Sequence, residues 1–594
     1  MHNNLKMSVS KYCSKVLIIF PLFYLLAACS GDTPPAESTE SVTTSETGVS
    51  MPSPMSAAVG ATLLNCEELS SQFAFTQTAL SEVSPVAAGM LEGYAVGEHC
   101  LITGQMNQRI SSVDGNSYAI GFEMRLPVDW NGRFFYQANG GIDGRVAPSM
   151  GGMLGGGSLS TALSEGFAVI NSDTGHQGPT PFFGIDPQAR LDYGYSAVGT
   201  LTPMAKALIT SAYGKGPDRS YFAGCSNGGR HAMIAAARYA DQYDGILAGN
   251  PGFNLPQSAV AQLYAAQQFT LVTTSVNDDG EPDISSAFTQ AERDLIASSV
   301  LARCDGLDGL VDGIVADSMT CQATFELERD VPTCPADRDG SCLSADQKTV
   351  LGNIMAGARN SSGEALYASF PYDAGMNNPN WAFWKFTASQ ILDPGSVSFI
   401  FSTPPHDFDA FVAQSGLQTA LNFDMDNDAP KIFATNDVYT EAAMSYMTPP
   451  NPSDLSTLRD RGAKMMVFHG ISDGIFSTDD TARWYNELNA QNAGRADDFT
   501  RLFLIPGMNH CAGGPSTDQF DMVTALVNWV EQGEAPDRVI ATARGEGNAR
   551  DVNPALPANW ANDRTRPLCP YPEIAKYTGN GDIDDAANFS CEAP

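Results

Sequence analysis

Basic residues are scarce in this 594-residue chain: 33 Lys and Arg stand against 67 Asp and Glu, a formal charge of −34. So acidic a surface repels phosphate backbones and anionic headgroups, which argues against nucleic acid as a partner. The 12 cysteines include no C-x-x-C pair and no zinc-knuckle spacing, so thiol exchange and thiolate-metal chemistry are set aside. Long apolar runs are missing too. The clearest one, residues 16–28, is shorter than the roughly 20 residues a helix needs to cross a bilayer.

That run follows Lys6, Lys11 and Lys15 and ends in Leu26-Ala27-Ala28-Cys29. A basic start, a short apolar core and small residues before a cysteine are expected of a lipoprotein signal peptide over 1–28, with Cys29 as a lipid anchor to the membrane. Ser30 in place of Asp resembles an outer-membrane address. The chain is therefore expected to be exported, as an outer-membrane lipoprotein or a periplasmic or extracellular protein. Residues 29–57 are rich in Ser, Thr, Pro and Glu with little to bury, and read as a flexible tether.

Setting aside Cys13 and Cys29 leaves ten cysteines, an even set that in an exported chain reads as five disulfides. Spacing suggests 66–100, 304–321, 334–342 and 569–591, and Cys225 with Cys511 remain.

Residues 220–240, SYFAGCSNGGRHAMIAAARYA, carry the strongest chemical signal. A short strand, the turn Gly224-Cys225-Ser226-Asn227-Gly228 and an alanine-rich amphipathic helix put G-x-S-x-G in strand–turn–helix context. Small residues at Gly224 and Gly228 let strand and helix approach, so Ser226 projects above the sheet. A Gly/Ser-rich turn is the plain reading of the five letters, and the flanking elements decide against it.

Upstream, strands at 118–124 and 133–137 lead into Ala138-Asn139-Gly140-Gly141-Ile142-Asp143-Gly144. Such a loop can aim backbone N–H groups at an anion, so Gly140 or Gly141 is expected to join the N–H of Asn227 as an oxyanion donor. Strands at 167–170 and 245–248 and a helix near 195–211 complete a mostly parallel, helix-covered sheet, an α/β class.

Beyond 253, helical patches alternate with Gly/Asn/Asp-rich loops. The expected division is a first core part at 58–253, an inserted lid domain at 254–455 and a second core part at 456–594. Within the insert, Asp305, Asp308 and Asp312, with the carbonyls of Leu310 and Ile314, are expected to hold a structural calcium ion. The aromatic stretch 381–386 (WAFWKF), with Phe399 and Phe401, is expected partly to line an apolar substrate slot.

The strand pattern resumes at 464–468 and 501–505. Asp473 and His510 each stand five residues past one of these strand ends, in the order Ser, Asp, His of the α/β-hydrolase fold. Ser226 is read as nucleophile, His510 as base and Asp473 as the carboxylate that orients it. Asp479, Asp480, His469 and His176 are the rivals.

The segments Gly224–Arg230, the Asp473 loop and Pro506-Gly507-Met508-Asn509-His510-Cys511 resemble the tannase/feruloyl esterase family, whose Cys-Ser and His-Cys pairs carry a disulfide next to the triad. The likeness spans essentially residues 60–594 and includes a member acting on a terephthalate half-ester. It implies an α/β-hydrolase with a large calcium-bearing lid, hydrolysing small aromatic ester substrates through an acyl-enzyme, and we read the chain as a monomer. That half-ester enzyme uses a lid arginine for the free carboxylate and has Glu beside its nucleophile. Here residues 384–401 offer Lys385 alone, and the neighbour is Asn227. Feruloyl, galloyl and hydroxybenzoyl esters therefore stay open beside the terephthalate half-ester. A secreted peptidase and a non-catalytic lipid-anchored binding protein are the rival readings.

Overall fold

Strands whose residues are apolar on both faces need cover on both sides, and the middle of this protein is built from them. The computed structural model describes residues 54–594. The signal peptide expected at 1–28, Cys29 and most of the tether expected at 29–57 lie outside the described residues. Nine strands form the main sheet: β1 (Thr78–Val86), β2 (His99–Ile110), β3 (Ser117–Pro127), β4 (Arg133–Gln137), β5 (Ala168–Ser172), β6 (Arg219–Cys225), β7 (Gly245–Gly249), β8 (Lys464–Gly470) and β9 (Thr500–Ile505). Their spatial order is β9-β8-β7-β6-β4-β5-β3-β2-β1. From β9 to β5 neighbours run parallel, and β3, β2 and β1 continue the sheet antiparallel.

Every residue of β7 and β8 is buried, whereas β1 at the edge largely alternates. On one face pack α1 (Ala197–Tyr213), α2 (Asn227–Arg238) and α4 (Thr478–Gln491), through Leu201, Ala232 and Trp484. The other face is covered by α5 (Met522–Gln532), through Val523, Leu526 and Trp529. This is the α/β-hydrolase architecture, with the loops after the parallel strands gathered at one edge.

Between β7 and β8, residues 250–463 add no strand to the main sheet. They begin with α3 (Leu255–Thr270), whose Leu263 and Phe269 pack with Phe386, Phe401 and Tyr446 in a core that also takes in Phe183 and Phe476. The insert therefore shares its interior with segments on either side of it, and the described chain is one compact unit.

All ten cysteines among the described residues are paired: 66–100, 225–511, 304–321, 334–342 and 569–591. Five disulfides belong to an oxidising compartment, so the chain is an exported one. None of these sulfurs is free to carry a lipid, and the membrane anchor expected at Cys29 is withdrawn. No helix among the described residues is long and apolar enough to cross a membrane.

Candidate active site

Gly224 and Gly228 are small because strand and helix nearly touch. A Cβ on Gly224 would meet the Gly228 backbone at 2.6 Å, and one on Gly228 would lie 2.7 Å from the Ala138 carbonyl. Between them Ser226 is forced to φ 67° and ψ −128°, a conformation that costs a non-glycine residue about 1–3 kcal/mol. The turn is held by Ser226 N–H donating to the Gly249 carbonyl at 3.0 Å and by Arg230 N–H donating to that of Ser226 at 3.0 Å. Ser226 is half-buried at its tip.

Asp473 and His510 come to the same edge on the loops after β8 and β9. Asp473 Oδ2 accepts from His510 Nδ1 at 2.8 Å and from Asn250 Nδ2 at 2.7 Å, while Oδ1 accepts from the N–H groups of Ile475 (2.9 Å) and Phe476 (3.1 Å). Burial alone would raise this carboxyl, but the charges and hydrogen bonds of His510 and His469 reverse that and hold it well below the usual carboxylate range. With Nδ1–H committed to Asp473, His510 Nε2 carries the lone pair. That atom is buried and has no hydrogen-bond partner, so Ser226 Oγ and His510 Nε2 are not hydrogen-bonded to each other. Such bonds are often open before substrate arrives. The disulfide Cys225–Cys511, with Cα atoms 6.0 Å apart, tethers the two loops through the immediate neighbours of Ser226 and His510.

The rivals are otherwise employed. Asp479 accepts from Ser369 Oγ at 2.6 Å, and Asp480 accepts from Asn254 Nδ2 at 2.9 Å and pairs with Arg483. His469 is wholly buried, bonded to Thr481 Oγ1 at 2.9 Å, and flanks Asp473 at 3.3 Å. His176 donates Nε2–H to the Ile142 carbonyl at 2.8 Å and stacks on Phe183.

The Gly140–Gly141 loop lies over the nucleophile. A Cβ on Gly140 would sit 3.8 Å from Ser226 Oγ, while Gly141, at φ +66°, faces open space. Asn227 has its backbone at the first turn of α2, and its side chain donates Nδ2–H to Asp143 Oδ2 at 2.8 Å. Neither Asn250, which steadies Asp473, nor Asp143 was expected from the sequence; Asn250 was visible only as part of the Asn-Pro-Gly break after β7.

The aromatic stretch divides. Trp381 and Phe386 are buried in the insert's core, whereas Trp384 meets the His510 ring edge-on at 4.8 Å, with Phe383, 44% exposed, beside it. Lys385 turns inward. It is 1% exposed, with Nζ 3.8 Å over the Phe370 ring, and burial lowers its pKa to about 7 against the pull of Asp473 and Asp393. It is not presented to a substrate carboxylate.

The calcium expected at Asp305, Asp308, Leu310, Asp312 and Ile314 is also withdrawn. Asp305 Oδ1 accepts from the N–H groups of Asp312 and Gly313, both at 3.1 Å, and Asp308 Oδ1 from that of Leu310 at 3.0 Å. Asp312 is paired with Arg566 and lies 3.8 Å from Arg564. The carboxylates are thus turned to backbone amides and guanidinium groups. Burial, with Asp312 and Asp305 nearby, pushes Asp308 up to about 7. Among the described residues no three His, Cys, Asp or Glu side chains are grouped to hold a metal ion.

A family model described as tannase and feruloyl esterase matches residues 100–592. Mono(2-hydroxyethyl) terephthalate hydrolase of Piscinibacter sakaiensis is 39% identical over 533 residues, covering 84% of this chain and 86% of its own. A probable feruloyl esterase B-1 of Neosartorya fischeri is 28% identical over 492 residues, 79% of this chain and 82% of its own. Among solved structures, feruloyl esterase B from Aspergillus oryzae superposes with a TM-score of 0.68 at 25% identity, over 89% of this chain and 99% of that one. Tannin acyl hydrolase from Aspergillus niger shares the fold, with a TM-score of 0.61 at 21% identity over 87% and 91%.

Proposed function

Because the chain belongs to the tannase and feruloyl esterase family, we propose that Ser226, His510 and Asp473 are the catalytic triad of its ester hydrolysis. The chain is a serine-type carboxylic ester hydrolase acting on aromatic esters, and its site chemistry follows from the geometry. Ser226 Oγ attacks the ester carbonyl as His510 Nε2 takes its proton; the proton then leaves with the alcohol, and water, activated by the same nitrogen, releases the acid. Asp473 holds the tautomer and stabilises the imidazolium. The oxyanion is met by the N–H of Asn227 and one from the Gly140–Gly141 loop, Gly140 being the glycine that stands against Ser226.

The observation that carries this reading is the His510 Nδ1 to Asp473 bond at 2.8 Å, which leaves Nε2 free on a loop tethered to the nucleophile's neighbour. We take residues 254–455 as a lid, since Trp384 reaches from it to the His510 ring, between core parts at 58–253 and 456–594. An exported esterase of this kind works in the periplasm or the medium. An organophosphonate is expected to label Ser226 in the folded protein, and labelling at any other residue, or none, overturns the assignment.

Mono(2-hydroxyethyl) terephthalate is the acyl substrate favoured by the relative that is 39% identical. The inward turn of Lys385 favours a second reading, neutral hydroxycinnamoyl or hydroxybenzoyl esters, whose acyl group needs no cation. Comparing kcat/KM for feruloyl, galloyl and terephthaloyl half-esters decides between them.

A further inference from the structure

We infer that Asp143 is a positioning residue that joins the two halves of the oxyanion hole, tying the Gly140–Gly141 loop to Asn227 through the Asn227 side chain. The inference rests on the proposed triad and adds the part that sets where its two N–H donors stand.

One oxygen of the loop's carboxylate meets two side chains of α2. Asp143 Oδ2 accepts from Asn227 Nδ2 at 2.8 Å and lies 3.0 Å from His231 Nε2. Asn227 is itself gripped from behind, because its Oδ1 accepts from Arg230 Nε at 2.6 Å and Arg230 donates to the carbonyls of Gly194 (2.7 Å) and Tyr193 (2.9 Å). The loop is pinned elsewhere too: Tyr193 Oη–H donates to the Gly141 carbonyl at 3.2 Å, His176 Nε2–H to that of Ile142 at 2.8 Å, and Asn139 Nδ2–H to that of Ser172 at 2.9 Å.

A turn alone does not need this arrangement. The Asp143 side chain is fully buried, its Oδ1 is a buried atom without a partner, and its φ of 56° is left-handed. Burying a carboxylate with one oxygen unsatisfied is costly, and an apolar or amide side chain would close a surface loop for less. Burial pushes Asp143 up to about 7 and His231 well below its usual value, so their contact is not a stabilising ion pair.

What the bond does hold is a distance. Gly140 and Gly141 are exposed, so nothing but the loop's own anchors keeps them over Ser226. An oxyanion needs both donors about 3 Å away at once, and a misplacement of about 1 Å costs on the order of 100-fold in rate. The ester carbonyl in the ground state makes little use of these donors. Losing the joint therefore lowers kcat and leaves KM nearly unchanged.

The test measures hydrolysis of p-nitrophenyl benzoate by wild type, Asp143→Ala, Asn227→Ala, their double variant and Asp143→Asn. Asn227→Ala keeps the backbone N–H and removes only the side chain. Each alanine variant is expected to lose about 10- to 100-fold in kcat with KM within about twofold, and the double variant to be no worse than the weaker single. Asp143→Asn, which keeps an acceptor for Asn227, is expected to recover to within about fivefold of wild type. Losses that multiply in the double variant, or a loss confined to KM, overturn the joint. Where Asp143→Ala does not fold, Asn227→Ala with full kcat overturns it alone. Organophosphonate labelling separates the two levels: a wild type unlabelled at Ser226 defeats the triad and the joint together, while a labelled wild type with an indifferent Asn227→Ala defeats the joint only.

Discussion

Cys225 and Cys511 are bonded with their Cα atoms 6.0 Å apart although 286 residues separate them in the chain. The bond closes a loop that contains the whole insert, and its two ends abut Ser226 and His510. Cross-links over long loops restrict the unfolded chain most, and losing a native disulfide typically costs about 2–5 kcal/mol. The Cys225→Ser/Cys511→Ser variant is expected to unfold at lower urea and to lose at least about tenfold in kcat, because base and nucleophile are no longer held together. A variant less stable yet fully active would confine the bond to stability.

Asp473 gathers four donors, and only the one from His510 faces the proposed chemistry. Asp473→Asn keeps the size but presents an amide to His510, which favours the tautomer with its proton on Nε2. The expected loss is about 10³- to 10⁴-fold in kcat, with KM little changed. Asp479→Asn, whose partner is Ser369, is expected to stay within about threefold. Equal losses in the two variants would sink the assignment.

The parts of this arrangement legible in the sequence are those set by local pattern. β8 is buried at every position and reads as an apolar run, and Asp473 and His510 stand at a fixed offset from strand ends. β1 and β2 carry no such run. Thr78–Val86 (TALSEVSPV) interleaves small polar residues and becomes a strand because β2 pairs with it, so of the antiparallel half only β3 is legible beforehand. Partners brought together by the fold are hidden in the same way. Asp143 lies 84 residues from Asn227, and Asp312 lies 254 residues from Arg566. The carboxylate spacing that suggested calcium says nothing about an arginine arriving from the far end of the chain. Lys385 was read as an available cation because no sequence pattern marks the helical stretch Phe383–Ala388 that turns it into the core.

Trp384 meets the His510 ring at 4.8 Å and lies next to the exposed Phe383. A wall of this kind binds a flat acyl group and does little for a small one. Trp384→Ala is therefore expected to raise KM about 5- to 20-fold for a benzoyl or feruloyl ester, and less than about threefold for p-nitrophenyl acetate. A parallel rise for both esters would move the acyl slot elsewhere.

Asp173 gives the protein a pH dependence of stability that does not involve the triad. Its Oδ1 accepts from the N–H groups of Gly121 and Gly175, both at 2.9 Å, yet burial, helped by the nearby Asp143 charge, pushes the carboxyl up to about 7. Unfolded, the same group titrates near 3.9. Between those two values the native state holds a proton that the unfolded state has lost, so stability falls as pH rises through this window and the loss is complete above about 7. Asn in this place can keep both amide bonds through its carbonyl oxygen and has no proton to lose. Measured by urea unfolding, Asp173→Asn is expected to gain on wild type from pH 5 to pH 8, by about 1–4 kcal/mol, and to gain nothing further above that. Two curves that stay parallel over this range would mean that the Asp173 carboxyl is ionised throughout, with its charge carried by the two glycine amides alone.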